Sequence, residues 1–180
     1  MCKAFFPARF YAILYISKYK KGGMTVQICC FTGHRTIAVD KRLALVAKLD
    51  ETIKTLIAHG HTVFRCGGAR GFDTLAALRI LHLKKSYPEI KLSLILPCRD
   101  QAASWHEGER LIWQDILEKA DEVRFITDRY VPECMHLRNR ALVDGAHTCV
   151  AYLTANRGGT LYTCTYALKQ GLTLLNLAED

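Results

Sequence analysis

Long hydrophobic runs are missing from this chain of 180 residues. None approaches the ~18 consecutive apolar residues that a membrane-spanning helix needs, so we expect no membrane span. Half of the residues are hydrophobic and 23% are charged, a composition typical of a folded domain rather than of a disordered chain. A domain of this length buries a core without support from metals or disulfides.

Spacings typical of metal ligands are also missing. The eight cysteines form no Cys-x-x-Cys pair, and no pair of histidines is placed to complete a zinc site. Most of the cysteines lie in apolar runs, where the thiol behaves as a small buried hydrophobe. We therefore predict no metal site, and the cysteine usage favours the reducing cytoplasm as the location of the protein.

The positive charge is unevenly distributed. The formal net charge is +8, but residues 1–23 contain five basic and no acidic side chains, and the rest of the chain contains 20 basic and 17 acidic ones. Apart from residues 1–23 the chain is only mildly basic, which by itself does not indicate nucleic-acid binding. No small-residue cleavage site follows the short apolar stretch of residues 10–16. We interpret residues 1–23 as an extension outside the fold, with a weak membrane-surface anchor as the alternative, and residues 24–180 as a single domain.

Short apolar runs alternate with helical patterns along the domain. Asp40 is expected to cap the first helix, Pro97 to end the third strand, and Ile112, Ile116 and Ala120 to form the buried face of the third helix. Continuously apolar strands separated by single helices predict an α/β fold. The expected architecture is a Rossmann-like, doubly wound and mostly parallel sheet of about six strands, with helices on both faces. The predicted strands are 26–31, 62–66, 92–96, 122–126, 148–153 and 172–175, and the later helices include 72–84, 132–143 and 161–169.

Two glycine-rich turns follow predicted strands and open predicted helices, at the sheet edge where such folds bind ligands. Glycines let backbone N–H groups approach an anion, and a helix N-terminus favours negative charge. A tight structural turn is the alternative. Neither turn matches a Walker A loop or G-x-G-x-x-G, which excludes a P-loop ATPase. The predicted ligand-binding residues of the two turns are Gly67, Gly68, Gly71 and Asp73 in the first, and Gly158, Gly159 and Thr160 in the second.

Other polar residues follow the same strands or lie on the fourth helix. At the end of the first strand, Thr32, Gly33 and Arg35 are candidate ligand contacts, with Arg35 as a phosphate clamp. Arg138 and Asn139 are either ligand donors or part of a solvated helix face, and Trp105 is either a stacking or a core residue. The catalytic candidates are His34 and Asp73. No Ser/His/Asp set and no carboxylate pair indicates a hydrolase of the common classes.

Taken together, these residues resemble the YpsA-like family of the SLOG superfamily over residues 26–177. The motifs that carry the resemblance are Cys29-Cys30-Phe31-Thr32-Gly33-His34-Arg35, Gly71-Phe72-Asp73-Thr74-Leu75-Ala76-Ala77, Leu96-Pro97-Cys98 with Gln101 and Trp105, Arg138-Asn139 with Val143-Asp144, and Gly158-Gly159-Thr160. The resemblance implies a Rossmann-like fold that binds a nucleotide or a nucleotide-derived ligand.

Two related families imply different functions. The stretch from Gly68 to Asp73 is similar to the loop of DNA-processing protein A, which binds single-stranded DNA. The turn at Gly158 is similar to that of LOG phosphoribohydrolases, whose motif Pro-Gly-Gly-x-Gly-Thr-x-x-Glu carries a glutamate that supports catalysis. Thr163 stands at the glutamate position and Ala155 at the proline position. That departure argues against the hydrolase.

The sequence thus predicts a cytoplasmic protein that binds or senses a phosphate-bearing, nucleotide-like ligand. A hydrolase acting on an N-glycosidic or phosphate bond of this ligand, with Asp73 as its base, is the first alternative. A single-stranded DNA-binding protein is the second alternative. No further cofactor is identified, and the sequence leaves homo-oligomer formation open.

Overall fold

The structure, a computed structural model, describes residues 26–178. Its centre is one six-stranded sheet in which every pair of neighbours is parallel. The order across the sheet is β4-β3-β2-β1-β5-β6, so the predicted Rossmann-like sheet is confirmed. The strands are β1 (Gln27–Gly33), β2 (His61–Cys66), β3 (Lys91–Cys98), β4 (Glu122–Thr127), β5 (Thr148–Tyr152) and β6 (Thr173–Asn176).

Five α-helices connect the strands and cover both faces of the sheet. One face carries the larger core, to which the first three helices contribute, and the other face carries a smaller core with the last two helices. This division follows from right-handed crossovers, because the chain winds outward from β1 in one direction, returns, and winds outward in the other. The helices are α1 (Arg42–Ala58), α2 (Phe72–Leu83), α3 (Glu107–Lys119), α4 (Cys134–Val143) and α5 (Gly158–Lys169).

Three local predictions are wrong. Asp40 does not cap α1, because it lies in a single 3-10 turn, Val39–Lys41, and the cap residue of α1 makes no side-chain hydrogen bond. Pro97 does not end β3, because it lies beyond the part of β3 that pairs with β2, where a missing N–H is tolerated. Ile112 is 45% exposed, since Trp113 and Ile116 form the packed face of α3.

The direction of winding reverses at β1. Gly33, at the end of β1, is opposite Tyr152 of β5, and β2 lies on the other side of β1. In open α/β sheets, ligands bind outside the carboxyl ends of the strands near such a reversal. The loops that follow the strands on both sides of this point therefore contain the residues from which a site is built.

The interpretation of residues 1–23 as an extension concerns residues outside the described part of the chain. Between residues 26 and 178, no helix is long and apolar enough to cross a membrane. The cysteines of this region are all buried and free.

Candidate functional site

A cleft of about 310 Å³ opens at the carboxyl edge of the sheet. It lies among the loops that follow β1, β2, β3 and β4, and α4 supplies one wall. Three arginines and two aromatic residues border it. The lining residues are Arg35, Ala69, Arg70, Cys98, Asp100, Gln101, Ser104, Trp105, Tyr130, Met135 and Arg138.

Arg138 is the most deeply buried charged residue of the cleft. Only 9% of it is exposed, and its Nη1 donates to Oδ2 of Asp73 at 3.3 Å. A guanidinium carries five N–H donors. Its buried Nε has no hydrogen-bond partner among residues 26–178. Arg138 is thus a buried cation at the cleft wall whose hydrogen-bonding capacity is only partly used.

Asp73 lies behind Arg138 in the first turn of α2 and is 2% exposed. Burial raises the pKa of Asp73 above its ordinary value, while Arg138 and the backbone N–H groups of Ala69 and Gly67 oppose that rise. The Ala69 N–H donates to Oδ2 at 3.4 Å. Asp73 does not line the cleft. Its carboxylate instead accepts from Arg138 and so holds that side chain in position. Its predicted contact with a ligand and its role as a base stay predictions.

The glycines of the first turn leave space for other parts of the protein. A Cβ on Gly67 would lie 1.6 Å from Nη1 of Arg138, and one on Gly68 would lie 2.3 Å from Cδ2 of Leu96. At Gly71 the φ angle is +76°, and a Cβ would lie 2.3 Å from the carbonyl oxygen of Arg35. Close packing therefore accounts for the glycines at these three positions, whether or not their backbone also contacts a ligand.

The end of β1 is shaped by the same kind of packing. A Cβ on Gly33 would lie 2.5 Å from the Phe72 side chain, which is fully buried and stacks on Tyr152. Thr32 is buried at 7% exposure. His34 is half-buried, does not line the cleft, and has an Nε2 atom without a hydrogen-bond partner within the described residues. Among residues 32–35, the motif predicted at the end of β1, Arg35 is the one that lines the cleft.

The second glycine turn differs from the first. Gly158, Gly159 and Thr160 form the first turn of α5, and the cap residue Arg157 makes no side-chain cap hydrogen bond. A Cβ on Gly158 would have no heavy atom within 4 Å, and one on Gly159 would meet only Nδ2 of Asn139, at 3.7 Å. The turn is open at its two glycines, whereas Thr160 is buried. All three residues lie outside the lining of the cleft.

Several cleft residues were not among the predicted site residues. Asp100 accepts a hydrogen bond from the backbone N–H of Tyr130 at 3.1 Å, which ties the loop after β3 to the loop after β4. Arg70 lies over the ring of Trp105 at 5.7 Å and pairs with Glu109 at 3.2 Å. The signal that could have found these residues is their position directly after strands, because the carboxyl ends of parallel strands meet at one edge of the sheet.

Two further residues of the cleft are fixed by their neighbours. Gln101 donates through Nε2 to the Gly68 carbonyl at 2.7 Å, which joins the loop after β3 to the first glycine turn. Burial, as the largest cause, together with the neighbouring Asp100 and Cys134 raises the pKa of the Cys98 thiol to about 12. Cys98 therefore stays protonated at neutral pH. Across residues 26–178, no group of three or more His, Cys, Asp or Glu side chains is arranged to hold a metal ion.

Relatives of known sequence are found among bacterial proteins. UPF0398 protein BH1768 of Halalkalibacterium halodurans is 34% identical over 112 residues, which cover 61% of this chain and 57% of that protein. Protein YoqJ of Bacillus subtilis, derived from the SPbeta prophage, is 28% identical over 140 residues, covering 71% of this chain and 82% of YoqJ. The match thus spans less than two thirds of the first relative and most of the second.

Solved structures share the fold at low sequence identity. DNA processing protein A from Helicobacter pylori matches with a TM-score of 0.60 and 16% identity, covering 83% of this chain and 64% of that one. The protein of the same name from Streptococcus pneumoniae matches with a TM-score of 0.60 and 15% identity, covering 84% and 50%. The family model described as the YspA SLOG family, YpsA, matches residues 29–173. Since that match covers most of the chain, and the predicted motifs lie inside it or at its margins, the chain belongs to the YpsA family of the SLOG superfamily.

Proposed function

We propose that this protein binds a phosphate-bearing, nucleotide-like small molecule in the cleft bordered by Arg35, Arg70 and Arg138. The observation that carries the proposal is Arg138. A buried guanidinium is costly unless its donors are paired, and one carboxylate, on Asp73, is the hydrogen-bond partner that the described residues supply. A phosphate at the cleft wall supplies acceptors for the unused donors of Arg138, in the bidentate manner that arginine favours.

The other residues of the cleft suit the rest of a nucleotide. Trp105 and Tyr130 offer aromatic surface for a base, and Asp100 and Ser104 offer polar groups for a sugar. The volume of about 310 Å³ lies at the lower end of the range for small-molecule sites, which begins near 300 Å³. One nucleoside with its phosphate therefore fits this cleft better than a long extended ligand does.

The second glycine turn supports a protein that binds this ligand without hydrolysing it. Thr163 is 1% exposed, and its Oγ1 donates to the Gly159 carbonyl at 2.8 Å. At the position where LOG phosphoribohydrolases carry a glutamate, this chain therefore has a hydroxyl that is already hydrogen-bonded to the helix backbone. The free, buried cysteines of the described residues support a cytoplasmic location for this binding protein.

A thermal-shift screen tests the proposal. The probes are nucleoside monophosphates and diphosphates, dinucleotides and ADP-ribose, each beside the matching nucleoside without phosphate. A ligand at about a hundred times its dissociation constant adds about 2.7 kcal/mol to stability. Because each kcal/mol moves the melting temperature of a domain this size by roughly 2–4 °C, the right probe raises melting by about 5–10 °C.

The matched nucleosides are the internal control. We expect them to give less than half of the shift, because they lack the group that Arg138 and Arg35 hold. Native mass spectrometry of the purified protein should also reveal any nucleotide that co-purifies. A screen in which no phosphate-bearing probe shifts melting, or in which nucleosides and nucleotides shift it equally, contradicts the proposal.

A further inference from the structure

Asp100 is the acidic residue in the lining of the cleft, which it shares with three arginines. Within residues 26–178, the salt bridges of these arginines join Arg70 to Glu109 at 3.2 Å and Arg138 to Asp73 at 3.3 Å. None of the salt bridges in this part of the chain joins an arginine to Asp100, which is exposed. Its carboxylate is therefore not engaged by the cations around it.

Backbone hydrogen bonds hold Asp100 in place. Its Oδ1 accepts from the N–H of Tyr130 at 3.1 Å, and its carbonyl oxygen accepts from the N–H of Ala103 at 3.1 Å. The next residue, Gln101, donates to the Gly68 carbonyl at 2.7 Å. A carboxylate accepts about four hydrogen bonds, so capacity is left for a ligand. The fixed loop reduces the entropy that is lost when that ligand binds.

The chemistry of a carboxylate decides which part of a nucleotide it contacts. It repels a phosphate, because the two groups carry charge of the same sign, and it accepts from hydroxyl and N–H donors. In a cleft of about 310 Å³, the group next to a phosphate held by the arginines is the sugar. A ribose presents two adjacent hydroxyl donors, whereas a 2′-deoxyribose presents one.

We propose that Asp100 makes the cleft selective for ribonucleotides, by accepting hydrogen bonds from the 2′- and 3′-hydroxyls of the ribose. This inference rests on the proposed function, since its ligand is the one whose phosphate the arginines hold. Removal of the 2′-hydroxyl leaves part of the carboxylate without a donor, and hydrogen bonds to a charged group are among the stronger ones. The same selection disfavours DNA as an occupant of the cleft.

Calorimetric titration of matched probes tests this proposal on the full chain. The probes are the 5′-monophosphates of each common nucleoside in ribose and in 2′-deoxyribose form, and inorganic phosphate is the probe without a sugar. EDTA in the buffer prevents a divalent cation from bridging Asp100 and the phosphate. For the base that binds most tightly, we expect the ribonucleotide to bind about tenfold or more tightly than its 2′-deoxy partner.

Asp100→Asn separates this role from a structural one. The amide oxygen still accepts from the N–H of Tyr130, while the charge and one acceptor atom are lost. The ribonucleotide should bind more weakly, and its advantage over the 2′-deoxyribonucleotide should fall to about threefold or less. Inorganic phosphate should bind as tightly as before or more tightly, because a repelling charge is removed. A disrupted cleft would instead lose affinity for both probes.

Asp128→Asn is the matched control. Asp128 lies in the loop after β4, its side chain is 89% exposed, and it does not line the cleft. Its carboxylate pairs with Arg99 at 3.2 Å, so the substitution removes the same charge without removing an acceptor from the cleft. Since exposed ion pairs contribute little, the ribose preference and the phosphate affinity should stay within about twofold of the native values.

Four results would overturn the proposal. Equal affinity of the two members of each pair would remove the selectivity for ribose and leave the proposed function intact. A preference for guanine that Asp100→Asn removes, without a preference for ribose, would assign the carboxylate to the edge of the base. A ribose preference that survives in Asp100→Asn would assign the selection to another residue. Absence of binding by every phosphate-bearing probe would overturn both this proposal and the proposed function.

Discussion

The two glycine-rich turns have similar sequences and opposite surroundings. In the turn between β2 and α2, hypothetical Cβ atoms on Gly67 and Gly71 would lie 1.6 Å from the Arg138 side chain and 2.3 Å from the Arg35 backbone. In the turn that opens α5, a Cβ on Gly158 would have no heavy atom within 4 Å, and one on Gly159 would have a single distant neighbour. The first turn needs glycine because the protein itself fills the space, and the second leaves its backbone open.

Glycine is present in the two turns for different physical reasons, close packing in the first and an accessible backbone in the second. The sequence pattern of a glycine-rich turn after a strand is the same in both cases. In the first turn, the missing side chain of Gly67 lets Arg138 reach Asp73 and so positions a cation at the cleft wall. In the second turn, the glycines keep the start of a helix accessible. A glycine-rich turn after a strand thus contributes to a site either through its own backbone or through the side chain that it admits.

The largest loss of stability is expected for Gly67→Ala, which introduces a methyl group into the packed turn. The new methyl group displaces Arg138 and leaves Asp73 buried without its partner, and breaking a buried pair costs about 3–5 kcal/mol. Urea unfolding measures the loss. Gly159→Ala is the control, because φ at Gly159 is not positive and a Cβ there meets only Nδ2 of Asn139, at 3.7 Å. A loss of less than about 1 kcal/mol for Gly67→Ala would show that Arg138 moves aside freely.

A smaller, pH-dependent effect is expected for Asp73→Asn. Burial raises the pKa of Asp73 in the folded protein, so the folded state binds more protons than the unfolded state above pH of about 3.9. The contribution of Asp73 to stability is therefore greatest below that pH and declines as the pH rises through its raised pKa. The stability of the native protein relative to Asp73→Asn should fall over this window. A rise in the same window would mean that Arg138 outweighs burial.

The open turn should respond weakly to the same kind of change. Gly158 has φ of +85°, so Gly158→Ala should cost about 1–2 kcal/mol of backbone strain and nothing from collision. Denaturant midpoints at constant slope measure this cost. A loss comparable to that of Gly67→Ala would show that the turn at α5 is also packed.

The smallest effect is expected for Gly159→Ala. No positive φ is present at this position and its neighbour lies at 3.7 Å, so stability should change by no more than about 0.5 kcal/mol. The melting temperature should therefore stay within about 2 °C of the native value. A larger loss would contradict the open geometry and remove the contrast between the two turns.

Local sequence patterns predicted the fold closely because the strands are continuously apolar and each helix lies between two of them. Arg35 and Arg138 were predicted as site residues and line the cleft, whereas Gly158, Gly159 and Thr160 lie outside its lining. Asp100, Ser104 and Tyr130 were not predicted, because each is an ordinary loop residue until two loops are joined by the bond between Asp100 and the Tyr130 backbone.

Calorimetric titration of the best phosphate-bearing probe into Arg35→Ala and Gly159→Asp tests the central claim most directly. The account predicts that Arg35→Ala weakens binding about tenfold or more, because a hydrogen bond to a charged group contributes roughly 1.5–3 kcal/mol. Gly159→Asp, whose carboxylate suits a helix N-terminus and leaves the fold intact, should retain measurable binding. Native affinity in Arg35→Ala, together with complete loss in Gly159→Asp, would contradict the account and assign the phosphate to the open turn.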